Sequence, residues 1–334
     1  MFMGIDENIL FLLMTGLLAA GALTGLLLGS RFGLSNVDNL RRSKAATNIG
    51  FSFTLLAALV GCALSGSVLF SGKSVHIALS PKLVLQDLSF DIDPLSAFFL
   101  GTISLLTAAV SVYSFGYVQE FLTKRNVGFL VFLYNIFFFS MAGVVVSGNA
   151  ILFLILWELM SLTTFFLINY EHEVRASRRA AFLYIVMTHI GTAFLVIMFI
   201  LFFLYAHSFS FEAFRGAMPS IPTGVKTVIF LCALMGFGIK AGIIPLQIWL
   251  PEAHPAAPSN VSALMSGVMI KTGIYGMVRI FFDFLGPGPE WWGMLVLGIA
   301  VVSAVLGVLY ALTEHDLKRS CTEFCLPFSG WHRC

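Results

Sequence analysis

The chain is short of charge. Only 11% of its 334 residues are Asp, Glu, Lys or Arg, against about 25% in soluble globular domains, and that deficit excludes a water-soluble enzyme or binding module. No polar or Pro/Gly-rich linker divides the chain into soluble domains. A net charge of +2 gives no argument for nucleic acid, and none is expected as a partner. Cysteine is also scarce. Cys62 and Cys232 lie in apolar runs, where a thiol acts as a small hydrophobe. Cys321, Cys325 and Cys334 crowd the end beside His332, facing a reducing compartment with no further domain to close a site, so no metal is assigned to them. There is no haem, flavin or iron–sulfur pattern, so no cofactor is expected in this chain and electrons must travel elsewhere. No signal peptide is expected either. The first apolar run follows Asp6 and Glu7 instead of a basic segment and has no small-residue cleavage site, which makes it an anchor.

What is present is apolar. Hydrophobic residues make up 58% of the chain, and its mean hydropathy is +0.93. Thirty-four Phe and thirty Gly suit helices packed closely among lipid and each other. The class is therefore all-α, a polytopic membrane helix bundle. Runs of about 20 apolar residues predict nine spans, near 8–29, 48–71, 94–117, 127–147, 149–170, 180–206, 225–250, 259–283 and 291–313. Loops after odd-numbered spans, with the tail, hold twelve Lys and Arg, and the opposite loops hold four: Lys73, Lys82, Arg215 and Lys226. That asymmetry predicts an outside N-terminus and a cytoplasmic tail. The longest outer loop, 73–93, is expected to form a hairpin of 75–79 against 83–85 around Ser80-Pro81-Lys82.

Three ionisable residues interrupt the apolar runs. A charge at the bilayer centre costs about 2.5–3.5 kcal/mol on insertion scales, so Glu158, Lys240 and Lys271 together cost roughly 7–10 kcal/mol and call for a reason. An ion or proton path is the usual one. Glu158 stands about nine residues into the fifth span, roughly 13 Å deep at 1.5 Å per residue, where a carboxylate must pair, protonate or face water. A helix-stapling glutamate is the plainer alternative. Lys240 is followed by Gly242 and Pro245. Pro245 cannot donate to the carbonyl of Ala241, which predicts a break in the seventh span at Pro245. Broken helices beside an ionisable group recur in transporters; an ordinary kink with a snorkelling lysine is the alternative. Residues 251–260 look too proline-rich for helix. Within them, Glu252 and His254 stand at the cytoplasmic mouth, as a proton feed or as a polar cap. His189, in the sixth span, either bridges Glu158 and Lys240 or bonds within the bundle. Gly236-Phe237-Gly238 lies in an apolar helix and is no phosphate loop, and Glu171-His172-Glu173 reads as a solvated loop.

These segments carry a resemblance. Trp157-Glu158-Leu159-Met160-Ser161, the Lys240–Pro245 break, Trp249-Leu250-Pro251-Glu252-Ala253-His254 with Ala257-Pro258, and Val261-Ser262-Ala263 before Lys271 resemble the proton-conducting antiporter-like membrane subunits. That family spans respiratory complex I, Mrp sodium/proton antiporters and membrane-bound hydrogenases. The run 179–194 is most similar to the branch of hydrogenase-4 component B and formate hydrogenlyase subunit 3. The resemblance implies a switchable pair at Glu158 and Lys240, with Lys271 linking two half-channels. It also implies other membrane and peripheral subunits as partners, carrying the metal and iron–sulfur cofactors. The implied division is 1–126 for three N-terminal spans, 127–284 for a channel repeat, 285–319 for the start of a second repeat, and 320–334 for an aberrant tail. After Arg319 the family pattern would run into another apolar helix, whereas Ser320-Cys321-Thr322-Glu323 does not, which reads as a frameshift or truncation. The implied activity is proton translocation in a redox-driven complex. The rivals are a sodium/proton antiporter subunit and a non-functional fragment.

Overall fold

The computed structural model describes residues 6–29, 36–78, 88–123 and 125–313. The cysteine-rich tail and the suspected discontinuity after Arg319 lie outside the described residues. Within them, nine helices are long and apolar enough to cross a membrane. The chain is thus a multi-pass, all-helical membrane protein.

Six spans are α1 (Glu7–Leu28), α2 (Asn36–Ser71), α3 (Pro94–Tyr117), α4 (Val127–Val146), α5 (Ala150–Ile168) and α6 (Arg175–Ala206). Their starts are written in the sequence. Asp6, Asp93, Asn126 and Asn149 each accept a first-turn backbone N–H, and Pro94 occupies a position whose own N–H would be spare. α2 begins a dozen residues before the apolar run expected for it. Its early turns carry Arg42, whose guanidinium donates to the carbonyls of Leu27 and Gly29 at the end of α1, satisfying acceptors that a helix C-terminus leaves open.

The seventh span is α8 (Thr223–Ala241), which follows the short α7 (Phe211–Ala217). The short α9 (Leu250–Ala256) follows in the loop, and the eighth span runs through α10 (Ser259–Leu264), a π-helical turn at Met265–Met269, α11 (Ile270–Val278) and a second π turn at Arg279–Phe284. The ninth is α12 (Glu290–Thr313). α9 corrects the expectation that 251–260 is not helical. Pro251 falls in its first turn, where no N–H is needed, and Pro255 falls near its end.

The outer loop also differs from expectation. β1 (Val75–Ala78) pairs antiparallel with β2 (Ser89–Ile92), Val75 opposite Ile92, rather than with 83–85, which lies outside the described residues. Burial decides the register. Phe90 and Ile92 are core residues, Phe90 sits 4.9 Å from Phe11 between ring centroids, and the Ser89 carbonyl accepts Gly148 N–H at 2.9 Å.

Two ends of the bundle emerge from these contacts. Loops after even-numbered spans gather at one: Phe90 bridges to Ser147 and Asn149 to Ser210, while Arg215 pairs with Asp283. Loops after odd-numbered spans gather at the other. There Arg125 reaches Tyr170 and Glu173, and Ser259 N–H reaches Tyr117. The alternation required of consecutive spans is therefore present in the contacts.

Candidate proton-path site

Lys240 lies in the last turn of α8, where a cation is favoured by the unpaired carbonyls ahead of it. The helix stops at Gly242, which adopts φ 73°, a left-handed conformation that glycine reaches without strain. Gly242 N–H bonds to the Ile239 carbonyl and Ile243 N–H to that of Gly238 at 3.1 Å, a Schellman closure. The break thus comes three residues before Pro245, correcting the expected position. Two side chains bond to the backbone around it. Trp249 Nε1 donates to the Ile239 carbonyl at 2.8 Å, and Ile244 N–H donates to Ser303 Oγ of α12 at 3.0 Å. Irregular backbone at membrane depth is tolerated where partners of this kind surround it.

The Lys240 side chain is buried, 1% exposed. Its Nζ donates to Ser161 Oγ at 3.0 Å and to Tyr184 OH at 2.9 Å. It also lies 5.5 Å from the Trp157 ring centre and 5.2 Å from that of Tyr184, within the range of cation–π attraction. α8 approaches its neighbours closely here. A Cβ on Gly273 of α11 would stand 2.8 Å from the Phe237 carbonyl and 2.9 Å from Ala241 N, so glycine is required there for the contact.

Glu158 stands one turn from Ser161 on α5, and among the described residues it forms no ion pair with Lys240. Its Oε2 faces His189 Nε2 at 3.5 Å. Its Oε1 is buried with no hydrogen-bond partner among the described residues. His189 does not bridge the two. Half exposed on α6, it anchors its Nδ1 to the Ile185 carbonyl at 2.8 Å and approaches Glu158 from the outer side.

Lys271 is on a different face. Its amine folds back onto the Ser266 carbonyl in the π turn, and it lines a cavity of about 290 Å³ between the eighth span and Phe98, Phe99 and Thr102 of α3. The structure therefore brings Glu158, His189 and Lys240 into one neighbourhood and leaves Lys271 beside it. Glu252 lines a second cavity of about 290 Å³ at the odd-loop end, with Glu171 and Tyr117. His254 is buried, its Nδ1 3.4 Å from Ser262 Oγ and its ring 6.4 Å from Trp249. Trp249 packs edge-on against Tyr184 at 5.0 Å. A row of side chains thus runs from His254 through Trp249 and Tyr184 to Lys240.

Sequence reasoning missed Ser161 and Tyr184. It also left Arg279 without a role. Arg279 pairs with Asp93, its Nη2 2.8 Å from Oδ1, and with Asp283 at 2.9 Å, while Asp283 also holds Arg215 at 2.7 Å. The i,i+4 spacing of Arg279 and Asp283 was the available signal.

Comparison with known proteins places the chain in a family and a fold. The family described as NADH:quinone oxidoreductase/Mrp antiporter, TM, matches residues 147–322. Hydrogenase-4 component B of Escherichia coli K12 is 41% identical over 86% of the chain, which covers 42% of that relative. The chain thus spans less than half the length of this curated relative. Among solved structures, a chain of an archaeal membrane-bound sulfane sulfur reductase superposes with TM-score 0.75 at 19% identity, over 95% of this chain and 63% of that one. A chain of the Mrp complex from Dietzia sp. DQ12-45-1b gives 0.77 at 22%, over 98% of this chain and 33% of that one. At such identities the likeness is one of fold.

Proposed function

The chain belongs to the NADH:quinone oxidoreductase/Mrp antiporter transmembrane family, and on that premise we propose that it is a proton-translocating subunit of a redox-driven membrane complex of the hydrogenase-4, formate hydrogenlyase or NADH:quinone oxidoreductase kind. Glu158, Lys240 and Lys271 carry the proton in this reading, Glu252 and His254 feed it, and His189 tunes Glu158. In this reading redox metals and iron–sulfur clusters belong to partner subunits. The channel repeat is 127–284. The chain sits in a bacterial or archaeal cytoplasmic membrane with its N-terminus outside, in keeping with the basic residues of the odd-numbered loops.

The observation that supports this reading most is Lys240 itself. An amine buried in a membrane bundle, held by neutral hydroxyls with a half-satisfied carboxylate one turn away, is a group with two available partners. Low-dielectric surroundings favour a neutral amine and a nearby carboxylate favours a charged one, so moving between them loads and unloads a proton. In everted membrane vesicles of the native host, Glu158→Gln and Lys240→Ala each abolish most proton pumping while the protein still assembles, and Lys271→Ala impairs it. Wild-type pumping by an assembled Lys240→Ala variant refutes the reading. The fold shared with an Mrp complex supports a second reading, a sodium/proton antiporter subunit. Copurified hydrogenase or quinone-reductase subunits favour the first, and small Mrp-type membrane proteins the second.

A further inference from the structure

Lys240 is held by hydroxyls and not by an acid, and the hydrogen bonds around it say why. We propose that Ser161 and Tyr184 form a station for the uncharged Lys240 amine, alternative to Glu158, so that these two residues position the amine after its proton has left. The proposal rests on the reading of Lys240 as a proton carrier and deepens it.

The hydroxyl protons are committed elsewhere. Ser161 Oγ donates to the Trp157 carbonyl at 3.0 Å, and Tyr184 OH donates to Met269 Sδ at 3.7 Å. Both oxygens therefore meet Lys240 Nζ as acceptors, at 3.0 and 2.9 Å. A neutral amine has two N–H groups and an ammonium has three. Two acceptors satisfy the first and leave the second one short. The missing acceptor stands nearby, because Glu158 Oε1 is buried and unpartnered among the described residues. Glu158 itself stands three residues before Ser161 on α5, a backbone rise of about 4.5 Å. Charge thus selects the station: the ammonium is drawn to the carboxylate and the amine is complete between the hydroxyls. The Trp157 and Tyr184 rings lie 5.5 and 5.2 Å from the amine in its present position. The other titratable groups around Lys240 are His189, on the far side of Glu158, Lys271 on α11, whose amine is turned to Ser266, and His254 on α9, set behind Trp249 with its Nδ1 3.4 Å from Ser262 Oγ. The elements packed against Lys240 otherwise present Trp249, Gly273 and, at the break, Ser303.

Removing the station leaves Glu158 as the remaining polar partner, so the amine holds its proton longer. In everted vesicles of the native host, Tyr184→Phe and Ser161→Ala each lower pumping at pH 7 by about ten-fold, the scale of one lost buried hydrogen bond. Raising the pH by about one unit restores much of the rate, since a ten-fold change in the balance between amine and ammonium corresponds to one pH unit. A purely structural role lowers pumping by one factor at every pH. An unshifted pH profile in assembled Ser161→Ala overturns the proposal, and this variant decides if Tyr184→Phe assembles poorly, because it removes a single oxygen. Lys240→Ala separates the two ideas. If it is inactive while the hydroxyl variants keep the wild-type profile, the station fails and the proton-carrier reading stands; if it pumps normally, the proton-carrier reading itself fails.

Discussion

At the scale of single residues, charges were visible in the sequence and their partners were not. Glu158, Lys240 and Lys271 stand out because an ionisable group in an apolar run is costly. Ser161 and Tyr184 carry no such mark. Hydroxyls in membrane helices commonly bond a carbonyl of the preceding turn, as Thr163, Thr164 and Thr188 do here, so which hydroxyl faces a lysine is decided by packing alone. Asp93 was equally hidden, just ahead of α3, and it supports a pH prediction. Burial pushes its carboxyl up, but bonds and charge from Arg279 together with Ser96 N–H outweigh this and hold it at about 2, below its ordinary 3.8. A depressed folded-state value stabilises the fold above pH 3.8, and the contribution is lost as pH falls toward 2. It amounts to about 2 kcal/mol at neutral pH. Acid titration of detergent-purified protein, followed by tryptophan fluorescence, should show this loss between about pH 4 and 2. Asp93→Asn should be less stable at pH 7 by about that amount and flatter across the acid range. Equal stability of the two proteins at pH 7 would count against the Arg279 clamp.

Among the elements, the seventh span shows how far a sequence pattern reaches. A break near Lys240 follows from Gly242 and Pro245 together, but proline marks the place where helix cannot continue, and here the helix has already ended. Gly242 ends it through a left-handed closure in which the amides of Gly242 and Ile243 turn back to the carbonyls of Ile239 and Gly238. The same holds at α9, where Pro251 falls in the first turn and Pro255 near the end of a seven-residue helix, and at β2, whose pairing is set by the burial of Phe90 and Ile92. Gly242→Ala should cost about 1–2 kcal/mol through the unfavourable backbone region. Ser303→Ala leaves the buried Ile244 N–H without its acceptor and should cost about 1–3 kcal/mol. Thermal unfolding in detergent tests both, and a Ser303→Ala variant as stable as wild type would mean that this bond contributes nothing.

For the whole molecule, the nine spans were legible because length and hydropathy suffice to find them. Which loops share an end is also fixed once the spans are counted, and the ion pairs and backbone bridges at the two ends agree with it. Labelling decides which end faces out. With native cysteines replaced, single cysteines at the exposed positions Ser74 and Pro219 should react with an impermeant reagent on intact cells, and one at exposed His172 only after permeabilisation. The reverse pattern would invert the proposed orientation.

One contact between spans has a mechanical meaning. The hydroxyl of Ser303 belongs to α12, while the amide it holds lies four residues beyond Lys240. Such a bond works as a tie rod, because it is short and joins a stiff rod to a pliable bend. Sliding α12 along its axis by one residue, about 1.5 Å, either drags the bend along or snaps the tie. Whatever grips the outer face of the ninth span, lipid or protein, therefore gains leverage on the loop just past the lysine.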